Sequence, residues 1–360
     1  MSSTAPVRTE PAYRGFPVEV ARVRRLSPSF LRMTFTGPDL HEFGDTGLDQ
    51  RIKLVLPAAC GAPPDPAGFT GEDWFLAWRA RPEGERETLR TYTVRAVRQH
   101  LREVDVDVVL HGVAPGTVTT RGCGLAELLG CSCSATAGPA VRWCAAARRG
   151  DPVVLVGPNA RYDGPPSGIE WRPPVEATRY LLAGDETAVP AICSILEQLP
   201  ADARGHAFLE VPTAHDVLEV RAPAGVQVQW LPRDAAQAHG RALLGAVRRT
   251  LGGVGPAPVG VRGHDGAARP AGAASPAGAA SPAGDASPAG DASPAIAPAP
   301  DAPVWDVPER SRSADGLYAW VAGEAGTARD LRRLLLREAG LDRSAVAVMG
   351  YWRAGRPEAA

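Results

Sequence analysis

Lysine is nearly absent from this chain. Of 39 Lys and Arg residues, only Lys53 is a lysine. With heavy Ala, Gly and Pro usage this looks like a GC-rich genome, and Lys53 either persists against that bias or stands there by chance. An excess of one charge is also lacking. The formal net charge is −1, so no large field draws the chain to nucleic acid or to an anionic membrane, and neither is expected as a partner. No run of ~20 consecutive apolar residues occurs, which excludes a helical membrane span. Residues 1–15 are polar and lack the apolar core of a signal peptide. The six cysteines, Cys60, Cys123, Cys131, Cys133, Cys144 and Cys193, form no disulfide framework in a chain this long. A reducing cytoplasm is the expected compartment. The absence of a four-cysteine ferredoxin module argues against a fused electron-transfer reductase of the oxygenase type.

What is present fits an ordinary two-domain enzyme. The chain has 360 residues, 44% apolar and 22% charged. Its first part reads as short alternating strands between Gly/Pro turns: 17–25, 30–36, 51–56, 91–97 and 104–110. That pattern predicts an antiparallel barrel. Residues 113–137 carry three cysteines and no strong period, and read as an inserted loop. The C-x7-C-x-C spacing of Cys123, Cys131 and Cys133 fits no standard zinc or iron–sulfur site, so no metal is expected.

After Asp151 the pattern changes. Apolar strands at 153–156, 179–183, 206–211, 226–231, 317–322 and 346–350 alternate with helices at 188–199, near 242–251 and at 327–339. This predicts a parallel α/β module. Between them, residues 263–303 are low complexity, with Ser-Pro repeating at Ser275, Ser281, Ser287 and Ser293. Nothing larger than Ala recurs there to stack as a β-helix, so a disordered linker is expected, taken to end near 310. The division expected is a barrel over 14–163 and an α/β domain over 164–360.

Four places carry chemistry. On a strand, Arg90 and Tyr92 share one face and Thr91 and Thr93 the other, unless a local bulge swaps them. A flavin-binding strand needs an aromatic plane, a hydrogen-bonding group near N5 and a cation for the pyrophosphate. Tyr92, Thr93 and Arg90 supply these in that order, although an ordinary strand with one exposed Arg has the same look. The strand ending at His111-Gly112, followed after the insert by Gly138, Ala140 and Trp143, leads into a Gly-rich turn and a helix whose free N–H groups suit a diphosphate. Gly184-Asp185-Glu186-Thr187 stands at the carboxyl end of a parallel strand, where open α/β sheets bind nucleotides. Asp185 and Thr187 also suit helix caps, and Glu186 a solvated first turn. Gly323, Glu324 and Gly326 form a second strand-to-helix turn of that kind. Trp230 and Arg233, after another strand, are candidates for a 2′-phosphate or ordinary surface residues.

The stretches IKLVLP (52–57), RTYTVR (90–95), DVDVVLHG (105–112), GPAVRWCAAARRGDPVVLVGP (138–158), YLLAGDETAVPAI (180–192) and 318–356 come in an order that resembles the siderophore-interacting proteins. These are FAD-containing ferric-siderophore reductases related to ferredoxin-NADP reductases. The resemblance implies a Greek-key barrel holding FAD, then an NAD(P)-binding α/β module. It implies that Arg90, Tyr92, Thr93, His111, Gly112, Gly138, Ala140 and Trp143 form the FAD site. Gly184, Asp185, Glu186, Thr187, Gly323, Glu324 and Gly326 would face the nicotinamide of NADPH or NADH. Lys53 matches a basic position used toward anionic ferric siderophores. Hydride would pass from the nicotinamide to the flavin, and single electrons to Fe(III), releasing Fe(II). A general flavin or quinone reductase, or a redox partner, would use the same fold. So would a non-catalytic FAD- or siderophore-binding protein. Two departures stand out: the 25-residue insert at 113–137, and Val141 and Cys144 where Ser and Ala are common.

Overall fold

A computed structural model describes residues 10–58, 61, 63–71, 73–110, 113–115, 131–133, 138–233, 237–252 and 304–355. Six strands close into an antiparallel barrel: β1 (Tyr13–Arg25), β2 (Phe30–Thr36), β3 (Arg51–Leu56), β4 (Thr88–Arg98), β5 (Glu103–Val109) and β8 (Pro152–Pro158). Their order around the barrel is β1-β2-β5-β4-β3-β8. The consecutive strands β3, β4 and β5 return to lie beside β2, which is a Greek-key path.

Period-2 alternation builds this barrel. Phe16, Val18 and Val20 of β1, Ile52, Leu54 and Leu56 of β3, and Val104, Val106 and Val108 of β5 fill the interior. The alternate residues of β5, Asp105 and Asp107, point the other way and are ion-paired. Arg98 grips Asp105 at 2.7 and 2.8 Å, and Arg32 grips Asp107 at 2.7 and 2.8 Å. The apolar strand expected at 153–156 belongs to the barrel, where β8 pairs antiparallel with β1 and β3. Val153 and Leu155 face the barrel core, while Val154 and Val156 pack outside against Phe69 and Trp78. Burial on both faces gives the continuous apolar run that resembles a parallel strand. Trp78 lies on a short helix, α1 (Trp74–Arg79), which the sequence pattern did not announce.

Of the insert expected at 113–137, β6 (Val113–Pro115) and β7 (Cys131–Cys133) pair antiparallel. Its other residues, and His111 and Gly112 before it, lie outside the described residues. Helix α2 (Pro139–Ala146) then leads to β8.

The second unit is a six-stranded sheet. Its strands are β9 (Arg179–Gly184), β10 (Arg204–Val211), β11 (Gly225–Pro232), β12 (Trp305–Asp306), β13 (Leu317–Glu324) and β14 (Val346–Trp352), in the order β11-β10-β9-β13-β14-β12. All neighbours are parallel except β12, which runs antiparallel to β14. The linker expected over 263–310 therefore gives way to structure sooner, at the edge strand Trp305–Asp306; residues 263–303 lie outside the described residues. One sheet face packs on α3 (Val189–Gln198), the other on α4 (Arg241–Gly252) and α5 (Ala325–Arg333). Alternation sorts the strands between them: Tyr180 and Leu182 go to the α3 side, Leu181 and Ala183 to the other.

Barrel and sheet meet through buried polar contacts. Asp49, two residues before β3, accepts from Glu170 N at 3.1 Å, Trp171 N at 3.1 Å and Trp320 Nε1 at 3.3 Å. Asp216 accepts from Ser27 Oγ at 2.7 Å and Ser29 N at 2.7 Å. Arg95 of β4 holds Glu197 of α3 in a fork at 2.6 and 2.9 Å. Among the described residues no helix is long and apolar enough to cross a membrane.

Candidate functional site

Strand register sets the barrel half of the site. Tyr92 stands opposite Ile52 and Arg90 opposite Leu54, so both share the face of the barrel core. Thr91 and Thr93 stand opposite Lys53 and Arg51 on the other face. Arg90 donates to the Leu89 carbonyl at 2.7 Å. Tyr92 and Trp143 each pack, half-buried, against the barrel cluster. Thr93 is buried. Lys53 donates to Thr91 Oγ1 at 2.7 Å.

Helix α2 plugs one end of the barrel. Ala140 and Cys144 join the barrel cluster, and Val141 packs with Leu31 and Leu110. The two departures at 141 and 144 are thus core residues. Burial pushes the Cys144 thiol up to about 12, which makes it inert at neutral pH. The helix begins at Gly138 with Pro139 in its first turn and no side-chain cap. A Cβ on Gly138 would meet nothing within 4 Å among the described residues. Among the described residues the helix start therefore offers its backbone N–H groups at an open edge.

The sheet half lies where the strand order reverses. From β9 the chain runs outward through β10 to β11, then returns to β13 on the other side of β9. That is a topological switch point, the place where open α/β sheets bind ligands. Both glycines there are sterically required. A Cβ on Gly184 would lie 2.5 Å from Ala188 Cβ, and one on Gly323 would lie 2.6 Å from Asp185 Oδ2. Gly323 also has φ +144°.

Asp185 joins the two turns. Its carboxylate accepts from Thr187 N at 2.9 Å, Thr187 Oγ1 at 2.5 Å, Glu324 N at 2.7 Å and Trp352 Nε1 at 2.9 Å. It closes an Asx-type turn before the helix; the N-cap position of α3 is Ala188. Burial, and then the neighbouring Glu186 charge, push its pKa up. Glu186 is buried as well. Arg233 holds it in a fork at 2.6 and 2.8 Å and reaches Glu210 at 3.3 Å. Glu210 is fully buried and also accepts from Gly240 N at 2.7 Å and Leu243 N at 3.1 Å. Arg233 is therefore an internal ion-pair partner.

His239, which the sequence reading did not single out, places Nε2 3.5 Å from Asp185 Oδ2 and 3.7 Å from Glu186 Oε2. Its ring stands edge-on to Trp352 at 5.2 Å. Burial opposes its charge, but the neighbouring Glu186 and Asp185 carboxylates outweigh burial and raise its pKa. No short-range pattern signals it, because its partners lie about fifty residues earlier and at Trp352. Glu324 caps α5, accepting from Gly326 N at 2.7 Å and Thr327 N at 2.9 Å. Burial would raise its pKa, but these N–H groups and that of Ala354 lower it. Among the described residues no cluster of three or more His, Cys, Asp or Glu is placed to hold a metal ion.

The structure thus gathers Arg90, Tyr92, Ala140 and Trp143 at the barrel, and Gly184, Asp185, Glu186, Thr187, Gly323, Glu324 and Gly326 at the switch point. Lys53 sits on the opposite face of β3 from the barrel core.

Comparison with known proteins supplies the family. The chain is 34% identical over 219 residues to an uncharacterised protein of Mycobacterium tuberculosis. That match covers 60% of this chain and 64% of the relative, so it spans just under two thirds of the relative's length. It is 32% identical over 223 residues to the ferric vibriobactin reductase ViuB of Vibrio cholerae, covering 62% of this chain and 68% of that protein. Two solved structures share the fold. A siderophore utilization protein from T. fusca has a TM-score of 0.58 at 24% identity, covering 98% of this chain and 97% of that one. The siderophore-interacting protein SipS from Aeromonas hydrophila has a TM-score of 0.56 at 23% identity, covering 97% and 95%. Residues 19–162 match the siderophore-interacting FAD-binding domain and residues 177–355 the siderophore-interacting protein family, and to that family this chain belongs.

Proposed function

We propose that this chain is a cytoplasmic FAD-dependent oxidoreductase that takes hydride from NADH or NADPH and reduces a ferric siderophore to release ferrous iron. The observation that carries the reading is the conjunction of two sites on one chain. One is a barrel strand presenting Arg90 and Tyr92 with an uncapped helix start at Gly138. The other is a glycine-lined switch point at Gly184 and Gly323.

The barrel residues fit FAD. Arg90 supplies a cation for a pyrophosphate and Tyr92 and Trp143 aromatic surface, while Thr93 offers a hydroxyl from the other face of β4. Gly138, which has no Cβ, opens the helix start, where the backbone N–H groups of the first turn, Ala140 among them, suit a diphosphate. His111 and Gly112 complete the set by sequence position. FAD, when bound, supplies the conversion of a two-electron hydride donor into single-electron transfer. The chain's own part is orientation and exclusion of water. Gly184 and Gly323 let the two turns close tightly on Ala188 and Asp185 at the strand ends, while Asp185, Thr187, Glu324 and Gly326 fix those turns. Lys53 draws an anionic ferric chelate. Ferrous iron is held less strongly by hard oxygen ligands, so reduction loosens it. Membership of the siderophore-interacting family and the ferric vibriobactin reductase relative support this choice of acceptor.

The test is a set of half-reactions with purified FAD-loaded protein. Ferric siderophores are expected to reoxidise the reduced protein much faster than quinones or free flavin. Lys53→Ala is expected to slow that step more than flavin reduction. Equal rates with quinones, or no effect of Lys53→Ala, would count against the siderophore assignment.

A further inference from the structure

We propose that the dinucleotide site selects NADH and rejects the 2′-phosphate of NADPH, because among the described residues Arg233 and the start of α4, the groups best placed to receive that phosphate, are already held by buried carboxylates. This rests on the reductase reading above.

In open α/β sheets the adenosine ribose lies beyond the strand ends near the first turn, and discrimination falls to the residues there. An acid that ends the second strand binds a free 2′-hydroxyl, and a nearby Arg receives a 2′-phosphate. Here β10 ends next to Glu210, and Arg233 follows β11 with its N–H donating to the Val211 carbonyl at 2.9 Å. Arg233 thus stands where a phosphate-binding arginine belongs. Its fork is filled. Glu186 takes both terminal nitrogens at 2.6 and 2.8 Å, and Glu210 takes one at 3.3 Å.

The other two candidates face carboxylates too. The start of α4 would favour an anion, but Glu210 already accepts from Gly240 N and Leu243 N. His239 faces Asp185 and Glu186. Three buried carboxylates therefore surround Arg233 and His239, and no further buried cation stands among them in the described residues. A 2′-phosphate arriving here adds roughly −1.5 to −2 charges beside Glu186 and Glu210. It would have to break a buried bidentate pair to gain Arg233. A ribose 2′-hydroxyl asks for neither. One exposed cation remains close by in sequence, Arg241 in the first turn of α4.

The experiment compares the two dinucleotides on the FAD-loaded full chain. Anaerobic stopped-flow gives the second-order rate of flavin reduction by each, and calorimetry gives the affinities of NAD+ and NADP+ for the oxidised protein. NADH is expected to be favoured by roughly 10- to 100-fold, the range for a charged hydrogen bond forgone. NAD+ is expected to bind more tightly than NADP+ by a similar factor. Glu186→Gln loosens the fork and is expected to narrow both ratios. Should that variant not fold, the wild-type ratios still decide. NADPH equalling or exceeding NADH overturns the inference, and loss of that preference in Arg241→Ala would identify the phosphate's true partner. Failure of both dinucleotides to reduce the flavin strikes the reductase reading instead.

Discussion

The two halves of the site solve opposite problems. At the barrel, the start of α2 carries no side-chain cap and Gly138 faces open space among the described residues. At the switch point the chain supplies its own ligands. Glu324 caps α5, Glu210 occupies the start of α4, and Arg233 is clasped by two buried carboxylates. A resident cofactor can be met by an edge that waits for it. A co-substrate that must come and go is better met by a surface whose charges are already balanced. The difference predicts that damage to the switch point costs stability first, while damage to the barrel face costs cofactor binding first.

The largest expected effect breaks the balanced half. Arg233→Ala leaves Glu186 and Glu210 buried without their cation, and is expected to destabilise the fold by about 3–5 kcal/mol in urea unfolding. Next is the seam between the halves. Asp49 is buried, and desolvation raises its pKa from 3.8 to about 6 against the N–H groups of Trp171 and Glu170 that lower it. A raised folded-state pKa means that Asp49 contributes stability below the unfolded value, which fades as pH rises through about 6. Asp49→Asn is expected to remove about 3 kcal/mol of that pH dependence between roughly pH 4 and 7. The readout is the difference between wild type and variant, because Glu103, Asp105 and Asp306, whose pKa values are lowered, gain stability over part of the same range.

A smaller loss is expected from Gly323→Ala, where the new Cβ meets Asp185 at a φ that side chains avoid. About 1–3 kcal/mol should appear in thermal unfolding, together with slower flavin reduction. The mildest change in stability is expected at the barrel. Arg90→Ala should leave unfolding nearly unchanged and weaken FAD retention by roughly tenfold or more, read from the fluorescence of released flavin.

The barrel was legible in the sequence because its signal is local. Ile52, Leu54 and Leu56 alternate within one strand, and the faces expected for Arg90, Tyr92, Thr91 and Thr93 follow from that period alone. The switch-point turns were legible for the same reason: each is a strand, a glycine and a helix in succession. Three things were not. The edge strand Trp305–Asp306 is too short to carry a period and adjoins low-complexity sequence. Helix α1 has six residues, with Trp74, Phe75, Leu76 and Trp78 crowded into it, so no amphipathic stripe forms. The clasp of Arg233 and His239 on Asp185, Glu186 and Glu210 joins residues 23 to 54 apart, and pairing at that distance leaves no trace in local pattern.

The central claim, a flavin held by the barrel and reduced from the switch point, is tested most directly by anaerobic spectroscopy. FAD-loaded protein is mixed first with NADH and then with a ferric siderophore. The expected result is loss of the visible flavin bands followed by their return, with one ferrous ion captured by a chelator for each electron. A colourless protein that takes up no FAD, or a bound flavin that neither dinucleotide bleaches, would contradict it.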